Sequence, residues 1–318
     1  MRYYAAANTC MGYVSFLDEY AAQCDKRIAV KNASNECFEL LKKELGRCDT
    51  ILRAGSAEDI CGLYCAEKLL IIADEAMVQN PSETFEFSAE EKDLSELSRL
   101  YDLMYSYLSD AKVIHDEWEK IYISETDFGS ADRITNRCIE RIPKKTSSEK
   151  GKNVNRFFGT MLKNGSVNYI NELTEGFSKR IFIKGRPGSG KSTLMRKLAQ
   201  AARERGFDTE SYFCSFDPKS FDMVIIRDLG FCIFDATAPH ELFPKFKSDE
   251  ILDLYALCIN HETDIKYKDE LSDITKRYSE KMSDARDILA QIEDIRFQNN
   301  KKTAPDGEIL RSILSKLK

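Results

Sequence analysis

Ile181-Phe182-Ile183-Lys184-Gly185-Arg186-Pro187-Gly188-Ser189-Gly190-Lys191-Ser192-Thr193 is a short apolar strand running straight into a glycine-rich loop. Gly185 to Ser192 fill the pattern G-x-x-x-x-G-K-[ST], a phosphate-binding P-loop, without departure. The chemistry requires those residue types at that spacing. Gly188 and Gly190 let the backbone curl so that successive N–H groups turn toward phosphate oxygens. Lys191 reaches the β- and γ-phosphates, and the Ser192 hydroxyl is placed to ligate Mg²⁺. The pattern predicts a helix from Ser192 to about Arg205, with its positive N-terminal end on the same anion. The run Gly185–Thr193 is therefore expected to hold ATP or another nucleoside triphosphate with Mg²⁺.

Such a site needs an acid at the end of a neighbouring apolar strand to hold the metal, directly or through water. Phe231-Cys232-Ile233-Phe234-Asp235 supplies Asp235, with Asp228, after the run Met223–Ile226, as the rival. An Asp in this position also suits a turn cap. His240, in the turn Ala236-Thr237-Ala238-Pro239-His240-Glu241, is a candidate to orient water or a substrate. Asp217-Pro218 stands where a sensor or substrate contact is expected, or a plain turn. Ala236 occupies the place at which strong ATPases of this class carry Glu, which argues against fast turnover. Arg186, Arg203 and Arg227 are further phosphate-contact candidates whose default is surface solvation.

The chain also resembles itself. Gly12-Tyr13-Val14-Ser15-Phe16-Leu17 aligns with Gly165-Ser166-Val167-Asn168-Tyr169-Ile170, and Lys26–Lys31 with Lys179–Lys184 at the same offset. Leu70–Asp74 then aligns with Phe231–Asp235, and Ser109-Asp110-Ala111-Lys112 with Ser283-Asp284-Ala285-Arg286, the offset growing each time. Runs in one order with a growing offset indicate duplication followed by loop loss in the first copy. After Lys31 comes Asn32-Ala33-Ser34-Asn35-Glu36-Cys37, without glycine or a Lys-Ser pair, so that copy cannot cradle a phosphate.

The expected fold is α/β: two tandem P-loop NTPase-like halves, 1–150 and 151–318, with mainly parallel sheets, the first half degenerate. Lys144–Asn153, polar and following Pro143, is the expected boundary. A helical extension follows each half. Residues 89–122 carry Leu100, Leu103, Met104, Tyr107 and Leu108 at helical spacing, and residues 249–298 read as strongly helical from Ile251, Leu254, Tyr255 and Cys258 onward.

A net charge of −6 gives no clear nucleic-acid signal, and no apolar run reaches the length of a membrane span. Met1-Arg2-Tyr3-Tyr4 does not open a signal peptide, and a cytoplasmic protein is expected. Its ten cysteines are expected to be reduced, buried hydrophobes, and the scattered His115, His240 and His261 assemble no zinc site.

With the P-loop, the Phe213–Asp222 segment, the Phe234–His240 turn and the Tyr107–Asp116 helix, the chain resembles a family of bacterial tandem-repeat P-loop ATPases. The likeness runs over most of the chain and is densest from about Arg156 to His240. It implies ATP and Mg²⁺ at Gly185–Thr193 and no settled substrate. Members can carry a P-loop in both halves, and Asn32–Cys37 departs from that. Three functions fit: a slow ATPase or nucleotide switch acting on a protein partner, a kinase acting on a small-molecule acceptor, or a non-hydrolysing nucleotide-binding interaction protein. The first is preferred, because no basic cluster for an acceptor is visible.

Overall fold

The computed structural model describes residues 1–87, 95–145, 149–238, 241–300 and 305–317, the side chains of 298–300 aside. The first half opens with β1 (Arg2–Tyr4), a hairpin of β2 (Ala6–Thr9) and β3 (Gly12–Ser15), and the short helix α1 (Leu17–Ala21). It continues through β4 (Lys26–Lys31), α2 (Asn35–Leu45), β5 (Asp49–Leu52), β6 (Ile60–Cys65), β7 (Leu70–Asp74) and β8 (Glu83–Glu86) to α3 (Ser95–Ser124) and α4 (Phe128–Glu140). The second half repeats the series with β9 (Asn153–Arg156), a hairpin of β10 (Gly159–Leu162) and β11 (Gly165–Asn168), and α5 (Ile170–Leu173). Next come β12 (Lys179–Lys184), α6 (Lys191–Glu204), β13 (Thr209–Phe213), β14 (Phe221–Ile226), β15 (Phe231–Asp235) and β16 (Asp249–Asp253). It ends with α7 (Leu254–Cys258), α8 (Thr263–Lys266), α9 (Lys268–Asn300) and α10 (Gly307–Ser315).

Each half builds a six-stranded sheet, β1-β5-β6-β7-β4-β8 in one and β9-β13-β14-β15-β12-β16 in the other, the same order strand for strand. The registers agree as well: Lys26 lies opposite Leu70, and Lys179 opposite Phe231, the residues aligned by the internal repeat. The sheets are mixed and mainly parallel. Strands β6 and β14 run antiparallel to both neighbours, where parallel pairing was expected. The returns at Cys214–Ser220 and Arg227–Gly230 explain this, since a parallel crossover needs a dozen residues or more. The central strand β12 is apolar on both faces, with Ile181, Phe182 and Ile183 all buried.

Helix α6 buries Leu194, Met195, Leu198 and Ala202, the stripe its spacing predicts, and Gly206 closes it at φ +89°. The stretch expected to be helical from residue 249 begins instead as the edge strand β16, bonded to β12, and leaves Ile251 exposed. Helices α3 and α9 lie against each other over a shared cluster of Met104, Leu108, Ala285, Leu289 and Ile292, and Ala111, the repeat counterpart of Ala285, is also fully buried. Tyr4 and its counterpart Phe157 exchange two backbone hydrogen bonds, which joins the two sheets end to end.

The terminal helices change places. Cys138 and Ile142, in and just after α4 of the first half, pack with Leu194 and Leu198 of α6 in the second. Leu310 and Ile313 of α10, from the second half, join Phe38 and Leu41 of α2 in the first. The cysteines hold a correction: Cys48 and Cys65 form a disulfide, while eight others are free. Asp49 pairs with Tyr64 across β5 and β6, so the next position along that antiparallel ladder brings residue 48 against residue 65.

Candidate functional site

The turn Gly185–Gly190 leaves the C-terminal end of β12 and enters α6 at Lys191. Gly188 and Gly190 hold φ at +75° and +88°, where a side chain is strained. A Cβ on Gly188 would sit 2.8 Å from the Glu119 carbonyl oxygen, so α3 of the first half presses on the crown of this loop. Gly190 caps α6 without a side-chain hydrogen bond, which leaves the first amides of a 14-residue helix facing the loop. Ser189 is 1 % exposed, and its Oγ finds no hydrogen-bond partner among the described residues. A buried hydroxyl left open is costly, and an anionic oxygen seated in the loop would satisfy it. Lys191 Nζ folds back, donating to the carbonyls of Gly185 and Arg186 at 2.9 Å each, and lies 3.5 Å from Asp235.

Asp235 ends β15 at the loop. It accepts from the amide of Thr237 as a turn cap while facing Lys191. Ser192 Oγ accepts the Phe221 amide at 2.9 Å and keeps lone-pair capacity for a further partner. Asp228 is excluded: it lies in the turn between β14 and β15, at the opposite end of the strands, bonded to Lys145. Arg227 is held by Glu210, and Arg203 by Asn153 and Thr209, so neither serves the loop. Arg186 reaches Asp264 at 2.6 Å. His240 and Pro239 lie outside the described residues.

Sequence reasoning missed Asp222. Met223 pairs with Phe234 across β14 and β15, and one step further the ladder sets Asp222 beside Asp235. Asp222 is 7 % exposed; burial, and then the charge of Asp235, push its carboxyl up to about 7. The signal was present as a single acid at the mouth of the apolar run Phe221-Asp222-Met223-Val224-Ile225-Ile226. Asp217, just past β13, is the third acid, with one oxygen 3.5 Å from Lys112 on α3. One cavity of about 780 Å³ takes in the loop, these three acids, and a wall from α3 and α9.

The first half carries different side chains at the same positions. Asn32–Ser34 replace the loop, Cys61 stands where the second half has Asp222, and Asp74 where it has Asp235. Arg53 donates to Asp74 at 2.8 Å and to Asp59 at 2.9 Å, so a guanidinium neutralises the acid that faces a lysine in the other half. Lys31 is exposed and paired with Glu86. On α3, ligand atoms of His115, Asp116 and Glu119 converge within 4.8 Å, but the Lys112 ammonium already bonds Asp116.

Residues 165–253 match the family model Nephrocystin 3, N-terminal. The match runs from β11 to β16, taking in the loop, α6 and the row of acids and leaving out the first half. It is a different family from the tandem-repeat ATPases that the motifs resemble. No curated protein and no solved structure matches the chain.

Proposed function

We propose that Gly185–Thr193 hold a Mg²⁺–nucleoside triphosphate, ATP first among them, and that the protein is a slow Mg²⁺-dependent ATPase or nucleotide switch acting on a partner. The observation that carries this reading is the buried, unpartnered Ser189 Oγ inside a glycine-strained loop beneath an uncapped helix end. In it, Lys191 exchanges two backbone carbonyls for the β- and γ-phosphates, and Ser192 and Asp235 hold the metal. The metal supplies neutralisation of phosphate charge. With alanine after Asp235, Asp222 is the acid suited to take the proton from an attacking water, and His240 remains the candidate to orient that water. A base half-protonated near neutral pH and a helix resting on the loop both favour slow turnover. A cytoplasmic setting belongs to the same reading; no helix of the described residues is long and apolar enough to cross a membrane.

The test is Mg-ATP turnover by the purified chain, following ADP and free phosphate, with Lys191→Ala as control. Phosphate release that vanishes in the variant supports an ATPase, and release equal in both rejects it. One observation favours the second reading, phosphoryl transfer to a small acceptor: the cavity continues past Asp217 and Asp222. A kinase should release phosphate only to that acceptor, and a pure binder should gain melting temperature with intact ATP.

A further inference from the structure

The cavity that takes in the loop and the acids also has an aromatic box on its wall, four rings packed on one another: His115 and Trp118 from α3, Tyr278 from α9 and Phe216 from the loop after β13. Phe216 and Tyr278 have centroids 5.8 Å apart, His115 and Phe216 5.8 Å, His115 and Tyr278 5.9 Å, and Trp118 and Tyr278 6.1 Å. His115 Nδ1 is buried with no hydrogen-bond partner among the described residues. Burial, and then Lys112, hold the imidazole below its ordinary pKa, so it enters the box neutral.

The charges on the wall are unequal. Arg186 is bonded to Asp264, and Lys191 is committed to the loop and Asp235. Arg286, half-buried on α9, has no hydrogen-bond or ion-pair partner among the described residues. Its repeat counterpart Lys112 finds Asp116 one turn further along α3; α9 carries Ala290 at that place, which leaves the guanidinium to the cavity. A half-buried, unpaired guanidinium is a receptor for an oxyanion, and aromatic walls receive a flat apolar body.

The geometry points to a second small-molecule site in this cavity, one that takes an aromatic oxyanion such as a carboxylate, its ring against the four-ring box and its anion on Arg286. Its position beside the γ-phosphate end, next to Asp217 and Asp222, rests on the triphosphate reading of the loop; the site itself does not.

Trp118 is the chain's single tryptophan and stands in the box wall, so its emission reports occupancy directly. The probe is anilinonaphthalene sulfonate, an aromatic oxyanion, excited through Trp118 in the full chain, with phenylacetate as competitor. Saturable energy transfer is expected, displaced by phenylacetate, and weakened about tenfold or more in Arg286→Ala by loss of the charge-assisted pair. Met282→Phe, which narrows the box without altering charge, should weaken it as well. Transfer should persist in Lys191→Ala and under saturating Mg-ATP. No saturable transfer, transfer indifferent to Arg286→Ala in a protein with unchanged melting temperature, or displacement of the probe by Mg-ATP would each overturn the proposal. The last outcome would give the aromatic box to the nucleotide's own base. Probe binding without any Mg-ATP thermal shift would instead sink the triphosphate reading and leave this site standing.

Discussion

Asp222 sets a pH dependence whose sign follows from its surroundings. An unfolded aspartate titrates near 3.9, and in the folded chain burial and Asp235 hold this one at about 7. Between those values the folded chain keeps a proton that the unfolded chain has released. Stability therefore falls as pH rises through the window, and the cost is complete above it. Asp222→Asn should raise the melting temperature at about pH 8 and leave it nearly unchanged at about pH 4, and equal shifts at both would reject the coupling. If Asp222 takes the proton from water, the same variant should lose about 10²- to 10⁴-fold in turnover while Mg-ATP still raises the melting temperature. Gly188→Ala meets both the positive φ and the Glu119 carbonyl, so it should lower the melting temperature and weaken Mg-ATP protection together. That Lys191, Ser192 and Asp235 would meet at one cavity was legible from the loop motif and the strand-end acid. Asp222 was not, since only the partner strand reveals that it lies beside another acid.

At the level of elements, the strands and α6 could be read from apolar runs and helical stripes. The direction of β14 could not, because a run of apolar residues looks the same in either direction and only the length of the connection decides. Nor could the helices be assigned to their sheets: the stripe on α4 records that a face is covered and says nothing about by whom. The same holds for Cys48 and Cys65, whose pairing depends on the β5–β6 register. The packing of α10 on α2 makes a strong claim about the far end of the chain. Ile313 is fully buried there, so Ile313→Ala should cost about 2–5 kcal/mol in denaturant unfolding. Mg-ATP protection should remain, since α10 lies away from the loop. A cost under about 0.5 kcal/mol, the range of ordinary surface positions, would show that α10 does not pack as described.

At the scale of the whole molecule, the repeat is also a clasp: each half covers a helix of the other, and one core cluster runs through both sheets. Residues 1–150 and 151–318, made separately, should each be poorly soluble, and made together they should associate and recover the Mg-ATP thermal shift. A soluble, ATP-protected fragment 151–318 would contradict the exchange. The clasp also places α3 of the first half over the loop of the second, so the half without the glycine-rich loop still shapes the cavity. The repeat was visible in the sequence as aligned runs, whereas the crossing of its ends was not, because alignment carries no information about which copy touches which. Arg53 holds this asymmetry in place. Rebuilding a loop in the first half would bring a lysine and a metal to an acid that already has its cation, and the gain would come only after Arg53 itself was lost. Losing Arg53 first would leave Asp74 without its cation, while Asp59 would keep Arg296 at 3.6 Å. The ion pair acts as a latch: any lysine or metal arriving at Asp74 would first have to displace a guanidinium already in place.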